Sequence, residues 1–123
     1  NFFKERKNAF LYAGSGIFEA FKMETHLRLH VLAALLAVSL GFYFSISKVE
    51  WCLILICIAL VISLELVNSS IEKLCNEITL QEKTSIKYIK DIAAGAVLVV
   101  SIASFIVGLI IFLLIFKLTK EIQ

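Results

Sequence analysis

The chain has 123 residues, 60% of them hydrophobic and 18% charged, with no proline and a formal net charge of +2 from 12 basic and 10 acidic side chains. Soluble domains average about 45–50% apolar residues, so this excess excludes disorder, the length excludes a large two-domain enzyme, and the balanced charge excludes a dedicated nucleic-acid binder. Three cysteines, an odd number, do not suggest a disulfide framework.

The first 25 residues predict an amphipathic helix. At about 100° per residue, Phe3, Phe10, Ala13, Ile17 and Phe21 fall on one face, and Lys4, Asn8, Ser15, Glu19 and Lys22 on the opposite one. Such a helix lies on a membrane surface or packs against another protein. Lys4-Glu5-Arg6-Lys7 is not followed by a short apolar run with a small-residue cleavage site, which argues against a signal peptide.

Three apolar runs follow. Val31–Ser47 and Trp51–Leu64 carry no charge, and Ile92–Phe116 is a run of 25 residues without one. A bilayer core needs roughly 20 apolar residues in a helix. The third run meets that length alone. The first meets it if the helix starts near Leu27 or Leu29, and the second if it continues through Glu65, Asn68 and Glu72. The expectation is an all-α membrane protein in one domain spanning 1–123, with transmembrane helices at about 29–47, 51–74 and 92–116 and a surface helix at about 1–25. The competing reading, a buried bundle in water, fails because a chain of this size has too little interior to hide three helices that are apolar all round.

Lys4, Arg6, Lys7, Lys22 and Arg28 precede the first span, and Lys73, Lys83, Lys87 and Lys90 lie around the 75–91 loop, while only Lys48, Lys117 and Lys120 fall on the other side. The positive-inside rule then puts the N-terminus and that loop in the cytoplasm. Trp51 would sit at the outer interface, where amphipathic rings prefer to lie.

The informative segment is Glu65-Leu-Val-Asn68-Ser69-Ser70-Ile-Glu72. It continues the second apolar run, and its i, i+3, i+7 spacing puts Glu65, Asn68 and Glu72 within about 60° of one another on a helix. Glu65 lies about 21 Å along the helix from Trp51, near the cytoplasmic edge of the hydrocarbon. A carboxylate there costs a few kcal/mol at least and is a functional hypothesis by default. Glu24 and Arg28 precede the first span and Lys90 and Asp91 the third, so all three helices present charge at one depth. Glu24 and Glu72 could hold a hard divalent cation, since Mg²⁺ is commonly bound by one or two carboxylates plus substrate phosphates. Glu65 could accept a proton as a general base, and Lys90 could contact phosphate. The bland reading is an interhelical polar network that only holds the bundle together.

Lesser features carry less. His26 and His30 sit i, i+4 near Glu24, but there is no HExxH, and interfacial histidines are more often unliganded than zinc-bound. Cys52, Cys57 and Cys75 read as small apolar residues rather than a redox centre. Gly14 and Gly16 are too sparse for a phosphate loop, and Gln81-Glu82-Lys83-Thr84-Ser85 has no glycines, so it is not a Walker loop. Ala93-Ala94-Gly95-Ala96, with Ala103 and Gly108 beyond, would let helices approach closely.

Ser63-Leu-Glu65-Leu-Val-Asn68-Ser-Ser-Ile-Glu72, followed by Lys90-Asp91-Ile-Ala-Ala-Gly-Ala-Val-Leu-Val99, resembles the small integral-membrane prokaryotic diacylglycerol kinase family. The resemblance extends from Phe10 to Phe116. Gly16-Ile17, the stretch from Glu24 to His30, Val49-Glu50-Trp51 and the Lys-Asp-Ile-Ala-Ala-Gly-Ala-Val run resemble its undecaprenol kinase branch. The resemblance implies a homotrimer with three transmembrane helices and a surface helix per subunit, a site shared between neighbouring subunits, and the cofactors ATP and Mg²⁺. It implies Glu65 as the base that deprotonates a membrane lipid hydroxyl and Glu24 and Glu72 as metal-binding acids. Tyr12, Asn68, Lys90 and Asp91 would lie around the nucleotide, and Gln81 to Lys83, with Glu82 between them, in a loop over ATP. The chain departs from the family pattern at Glu5, flanked by Lys4 and Arg6, where a basic residue is expected at the ATP site. It departs again at Asn76, where many relatives carry aspartate.

The expected activity is therefore transfer of the γ-phosphoryl group of ATP to a lipid alcohol, with undecaprenol favoured and diacylglycerol as the alternative. A small transporter or scaffold whose acidic stripe binds a cation is the reading from a different class. Three spans make no obvious pore, however, and Lys90-Asp91 at that depth suits phosphate.

Overall fold

The computed structural model describes all residues from Asn1 to Gln123. Four helices account for almost the whole chain: α1 (Phe2–Met23), α2 (Thr25–Phe44), α3 (Lys48–Ile78) and α4 (Thr84–Ile122). The last three are each long and apolar enough to cross a membrane. Large aliphatics such as Leu32, Leu36, Leu98, Val99, Ile110 and Leu113 stand exposed on them. Water would not tolerate so continuous an apolar surface on a small monomer, and the chain is a multi-pass membrane protein.

The helices overrun the apolar runs that predict them. α3 has 31 residues and is therefore about 46 Å long, against a hydrocarbon thickness of about 30 Å. It starts at Lys48 rather than 51 because Ser47 and Glu50 form a reciprocal capping box, with Glu50 N–H donating to Ser47 Oγ at 3.2 Å and Ser47 N–H to Glu50 Oε1 at 2.9 Å. It continues to Ile78, and α4 begins at Thr84, so the expected 75–91 loop shrinks to the link 79–83. α2 stops at Phe44 because Ser45 takes the left-handed conformation (φ 51°, ψ 56°), with Ser45 N–H bonded to Phe42 O at 3.3 Å and Ile46 N–H to Gly41 O at 3.1 Å. This is a Schellman ending with serine where glycine is usual.

The break between α1 and α2 falls at Glu24, whose backbone is extended (φ −106°, ψ 111°). Arg28 closes this corner. Its guanidinium donates to Lys22 O at 2.6 Å, Phe21 O at 3.4 Å and Thr25 Oγ1 at 3.2 Å. A cation on the orphan carbonyls of a helix C-terminus is favourable both as a hydrogen-bond donor and against the helix dipole.

α3 packs chiefly against α4, less against α2, and α2 scarcely touches α4. The apolar core sits at the α2–α3 turn, where Ile46, Ile54 and Ile111 are buried with Trp51, Phe44, Val107 and Phe112 around them. Gly41 is needed here: a Cβ on it would lie 2.7 Å from the Trp51 indole and 3.2 Å from Ile46 Cδ1. The alanine–glycine run of α4 does not play that part. A Cβ on Gly95 or Gly108 would meet nothing within 4 Å, so the close approach expected of that run does not occur within the chain. The reason is geometric, since Ala94, Ala96 and Ala103 point outward.

Candidate active site

The opposite end of the bundle is polar. On α3, Glu65 (4% exposed), Asn68 (8%) and Ser69 are buried, and Glu72 one turn further on is half-buried. The i, i+3, i+7 stripe therefore faces inward as a unit. Glu65 meets α2. His30 Nε2 lies 3.7 Å from Glu65 Oε2, with the imidazole 25% and the carboxylate 5% exposed. No lysine or arginine comes within ion-pair distance of Glu65. Asn68 Oδ1 is buried with no hydrogen-bond partner, and a buried unpaired acceptor of this kind calls for an explanation.

The charged ends of the neighbouring helices gather around this stripe without all converging on it. Glu24, at the α1–α2 break, lines a cleft of about 430 Å³ together with Glu19 and Met23 of α1 and Leu66, Ser69, Ser70 and Lys73 of α3. Lys90 of α4 reaches back to α3 and donates to Asn76 Oδ1 at 2.7 Å. Asp91 turns the other way and pairs with Lys87 at 2.6 Å, both side chains well exposed. Lys87 lies ahead of the apolar run that begins at Ile92, and its hydrogen bond to the Asp91 carboxylate, with the attraction of that charge, holds its ammonium above the ordinary lysine range. Tyr12 is 74% exposed on α1, and Glu82 is exposed in the 79–83 link. Neither hydrogen-bonds or pairs with Glu65, Asn68 or Glu72.

No three histidine, cysteine, aspartate or glutamate side chains come together as a ligand cluster. His26 is exposed, and His30 is turned to Glu65 rather than to Glu24 and His26.

His30 is also where the polar end meets the membrane interior. It lies at one end of a groove of about 600 Å³ that opens between α2 and α4 over a floor of α3. Phe44, Phe112 and Phe116 line its far end, and Ala33, Ala37 and Gly108 keep its walls low. From His30 to Phe44 is 14 residues, about 21 Å along α2. An apolar trough headed by a histidine that reaches a buried carboxylate matches an amphipathic molecule with one hydroxyl and a long hydrocarbon tail.

The family model for prokaryotic diacylglycerol kinase matches residues 11–112. The chain belongs to that family. It is 40% identical over 105 residues to the undecaprenol kinase of Bacillus subtilis, covering 85% of each protein. It is 30% identical over 101 residues to the diacylglycerol kinase of a Synechocystis strain, covering 81% of this chain and 58% of that protein. As a member of the prokaryotic diacylglycerol kinase family, the chain carries asparagine at position 76. Asn76 holds Lys90 through an amide, so the contact fixes the ammonium without neutralising it, and Lys90 has no carboxylate within 4 Å.

Spacing along α3 puts Glu65, Asn68 and Glu72 on one face, but it says nothing of the pairing of Glu65 with His30. The only available signal was that His30 lies on the first span at the depth of Glu65. Nor does spacing reveal the contact of Lys90 with Asn76, which links two helix ends 14 residues apart.

Proposed function

We propose that the chain is a lipid kinase that transfers the γ-phosphoryl group of ATP to the hydroxyl of undecaprenol. The observation that carries this reading is the junction of the buried Glu65 carboxylate with the apolar groove at His30. The 40% identity to an undecaprenol kinase supports the polyprenol over a diacylglycerol as acceptor.

In this reading the lipid tail lies in the groove and its hydroxyl reaches Glu65 at the membrane surface. Glu65 takes the hydroxyl proton as the oxygen attacks the γ-phosphorus. The bond between that phosphorus and the β–γ bridging oxygen breaks, and ADP leaves. Such transfers depend mainly on positioning and on stabilising charge on the phosphoryl oxygens. Lys90, fixed but not neutralised by Asn76, supplies positive charge for the nucleotide, with Asp91, Tyr12 and Glu82 around it.

Glu24 and Glu72 would hold Mg²⁺. Their hard oxygen donors fit that ion, and two carboxylates leave coordination places for nucleotide phosphates. The orphaned Asn68 Oδ1 on the same stripe is a further oxygen awaiting a cation or a donor. Mg²⁺, when bound, neutralises charge on the phosphates.

The assembly belongs to the same proposal. Tyr12, Glu82 and Asp91 do not reach Glu65 within one chain, so a homotrimer with sites shared between subunits would bring them to a neighbour's stripe. α1 would lie on the membrane surface, and the surplus of basic residues at the α1 end favours the cytoplasmic face for the site.

Purified protein in detergent, given γ-labelled ATP, Mg²⁺ and an equimolar mixture of undecaprenol and a diacylglycerol, is the test. Label should pass mainly to the polyprenol. Preferential labelling of diacylglycerol would overturn the acceptor, and label in neither lipid would overturn the kinase reading in favour of a transporter or scaffold.

A further inference from the structure

We propose that His30 is a positioning residue for the phosphoryl acceptor: its ring holds one oxygen of Glu65 while itself lining the head of the groove, where a lipid hydroxyl arrives. The inference rests on the lipid-kinase reading and adds a residue to it.

Three observations carry it. The His30 ring is the only group able to bear positive charge within ion-pair distance of Glu65, at 3.7 Å from Oε2. Glu65 is almost fully buried, and no side chain hydrogen-bonds to its carboxylate. A buried carboxylate without a donor has no hydrogen bond to fix its orientation, whereas a single N–H beside one oxygen supplies one. With its proton on Nε2, His30 supplies that N–H, and a small rotation of either side chain closes 3.7 Å to a hydrogen bond. Finally, His30 lines the groove, which Glu65 does not. One ring thus touches both the base and the space for the lipid tail, so it sets their relative placement. A misplacement of about 1 Å between reacting groups can cost on the order of 100-fold in rate.

The experiment compares His30→Leu, which keeps bulk and loses the donor, with His30→Gln, which keeps an N–H near the place of Nε2. Both are made in the full chain and assayed with MgATP and undecaprenol. His30→Leu should lower kcat by roughly 10- to 100-fold with KM for ATP unchanged, and His30→Gln should recover most of the loss. In a Glu65→Gln background, His30→Leu should lower the remaining rate no further. Equal losses in both variants would show that the ring only fills space, and a wild-type rate in His30→Leu would refute the proposal. A second measurement does not depend on turnover. The ¹⁵N signal of the His30 Nε2 should move in Glu65→Gln and stay in place in Glu72→Gln. An unmoved signal would refute the contact, even if His30→Leu failed to fold. Absence of phosphoryl transfer by the wild-type protein, with the signal moving as stated, would overturn the kinase reading and leave the pairing of His30 with Glu65 standing.

Discussion

The two ends of the bundle solve the same problem in opposite ways. At the α2–α3 turn, Ile46, Ile54 and Ile111 close a dry core, Trp51 lies across Gly41 with its ring centroid 4.9 Å from that of Phe42, and the start of α3 is capped reciprocally by Ser47 and Glu50. At the α1 end, Glu65 and Asn68 are buried with one long contact and one orphaned oxygen between them. Paired helix ends and interlocked side chains stabilise the first region. The second carries polar groups whose partners one chain does not supply, which costs stability wherever it is not compensated. The packed core and the buried polar stripe are thus separated by most of the bilayer thickness, with α3 as the shared rod. Mutations should sort by end: those near Trp51 should alter stability and spare turnover per folded molecule, and those near Glu65 should do the reverse.

The largest expected effect is at Glu65. Glu65→Gln keeps size and hydrogen-bonding capacity but loses the proton acceptor, so phosphoryl transfer should fall by about 10²- to 10⁴-fold. Melting in detergent should occur at the same temperature or higher, because a buried carboxyl group with no hydrogen-bond donor has been replaced by a neutral amide of the same size. Turnover of the variant at the wild-type rate would end the assignment of Glu65 as base, and a large fall in melting temperature would make it a structural residue after all.

Gly41→Ala tests the other end. The added Cβ would sit 2.7 Å from the Trp51 ring and 3.2 Å from Ile46 Cδ1. Overpacking of this kind costs about 1–3 kcal/mol. Denaturant titration in detergent should show that loss, and Trp51→Phe in the same chain should return part of it by removing the clashing ring. Phosphoryl transfer per folded molecule should be unchanged. A fall in turnover would show that the two ends are mechanically coupled through α3.

What the sequence made legible follows the same division. Charge-free runs mark three spans because lipid tolerates no alternative, and the stripe from Glu65 to Glu72 is visible because spacing along one helix is local information. Helix ends were less legible. Hydropathy reports where lipid stops, whereas the hydrogen-bond ladder of α3 runs on to Ile78 and that of α4 starts back at Thr84. The Ser47–Glu50 capping box was present in the sequence as Ser-x-x-Glu, but the three residues it adds to α3 carry no hydropathy signal. The pairing of His30 with Glu65 and of Lys90 with Asn76 depends on which helix faces which, and no spacing within a helix encodes that. The alanine–glycine run of α4 misled for a related reason: small residues permit close approach, but only a facing helix makes use of it.

Asn68→Leu sets the two ends in direct contrast. Replacing Asn68 with an apolar side chain of similar size removes its buried, unpaired Oδ1 acceptor. That should raise stability by about 1 kcal/mol, measured by the same titration, while phosphoryl transfer is lost. A variant more stable and less active would show that Asn68 is kept at a cost for something outside the chain. A less stable variant would mean that Asn68 already has a partner in the folded protein, and the contrast between the ends would weaken.

The smallest effect returns to the turn. Ser45 is the one residue other than glycine at positive φ, exposed, with no side-chain hydrogen bond. Its left-handed backbone costs a side chain roughly 1–2 kcal/mol relative to glycine. Glycine in turn gives the unfolded chain more freedom, which returns part of that difference. Ser45→Gly should therefore stabilise by only about 0.5 kcal/mol, and Ser45→Val, whose branched side chain tolerates positive φ worse, should destabilise by about 1 kcal/mol or more. Both changes lie at the α2–α3 turn, far from Glu65 along α3, so the rate of phosphoryl transfer per folded molecule should follow neither. Opposite shifts in unfolding midpoint with one constant turnover number would isolate the turn as a purely structural device. If Ser45→Gly instead slowed turnover while raising stability, the rigidity of the α2–α3 hairpin would itself be limiting, and α2 would have to move for a lipid to enter the groove beside α4.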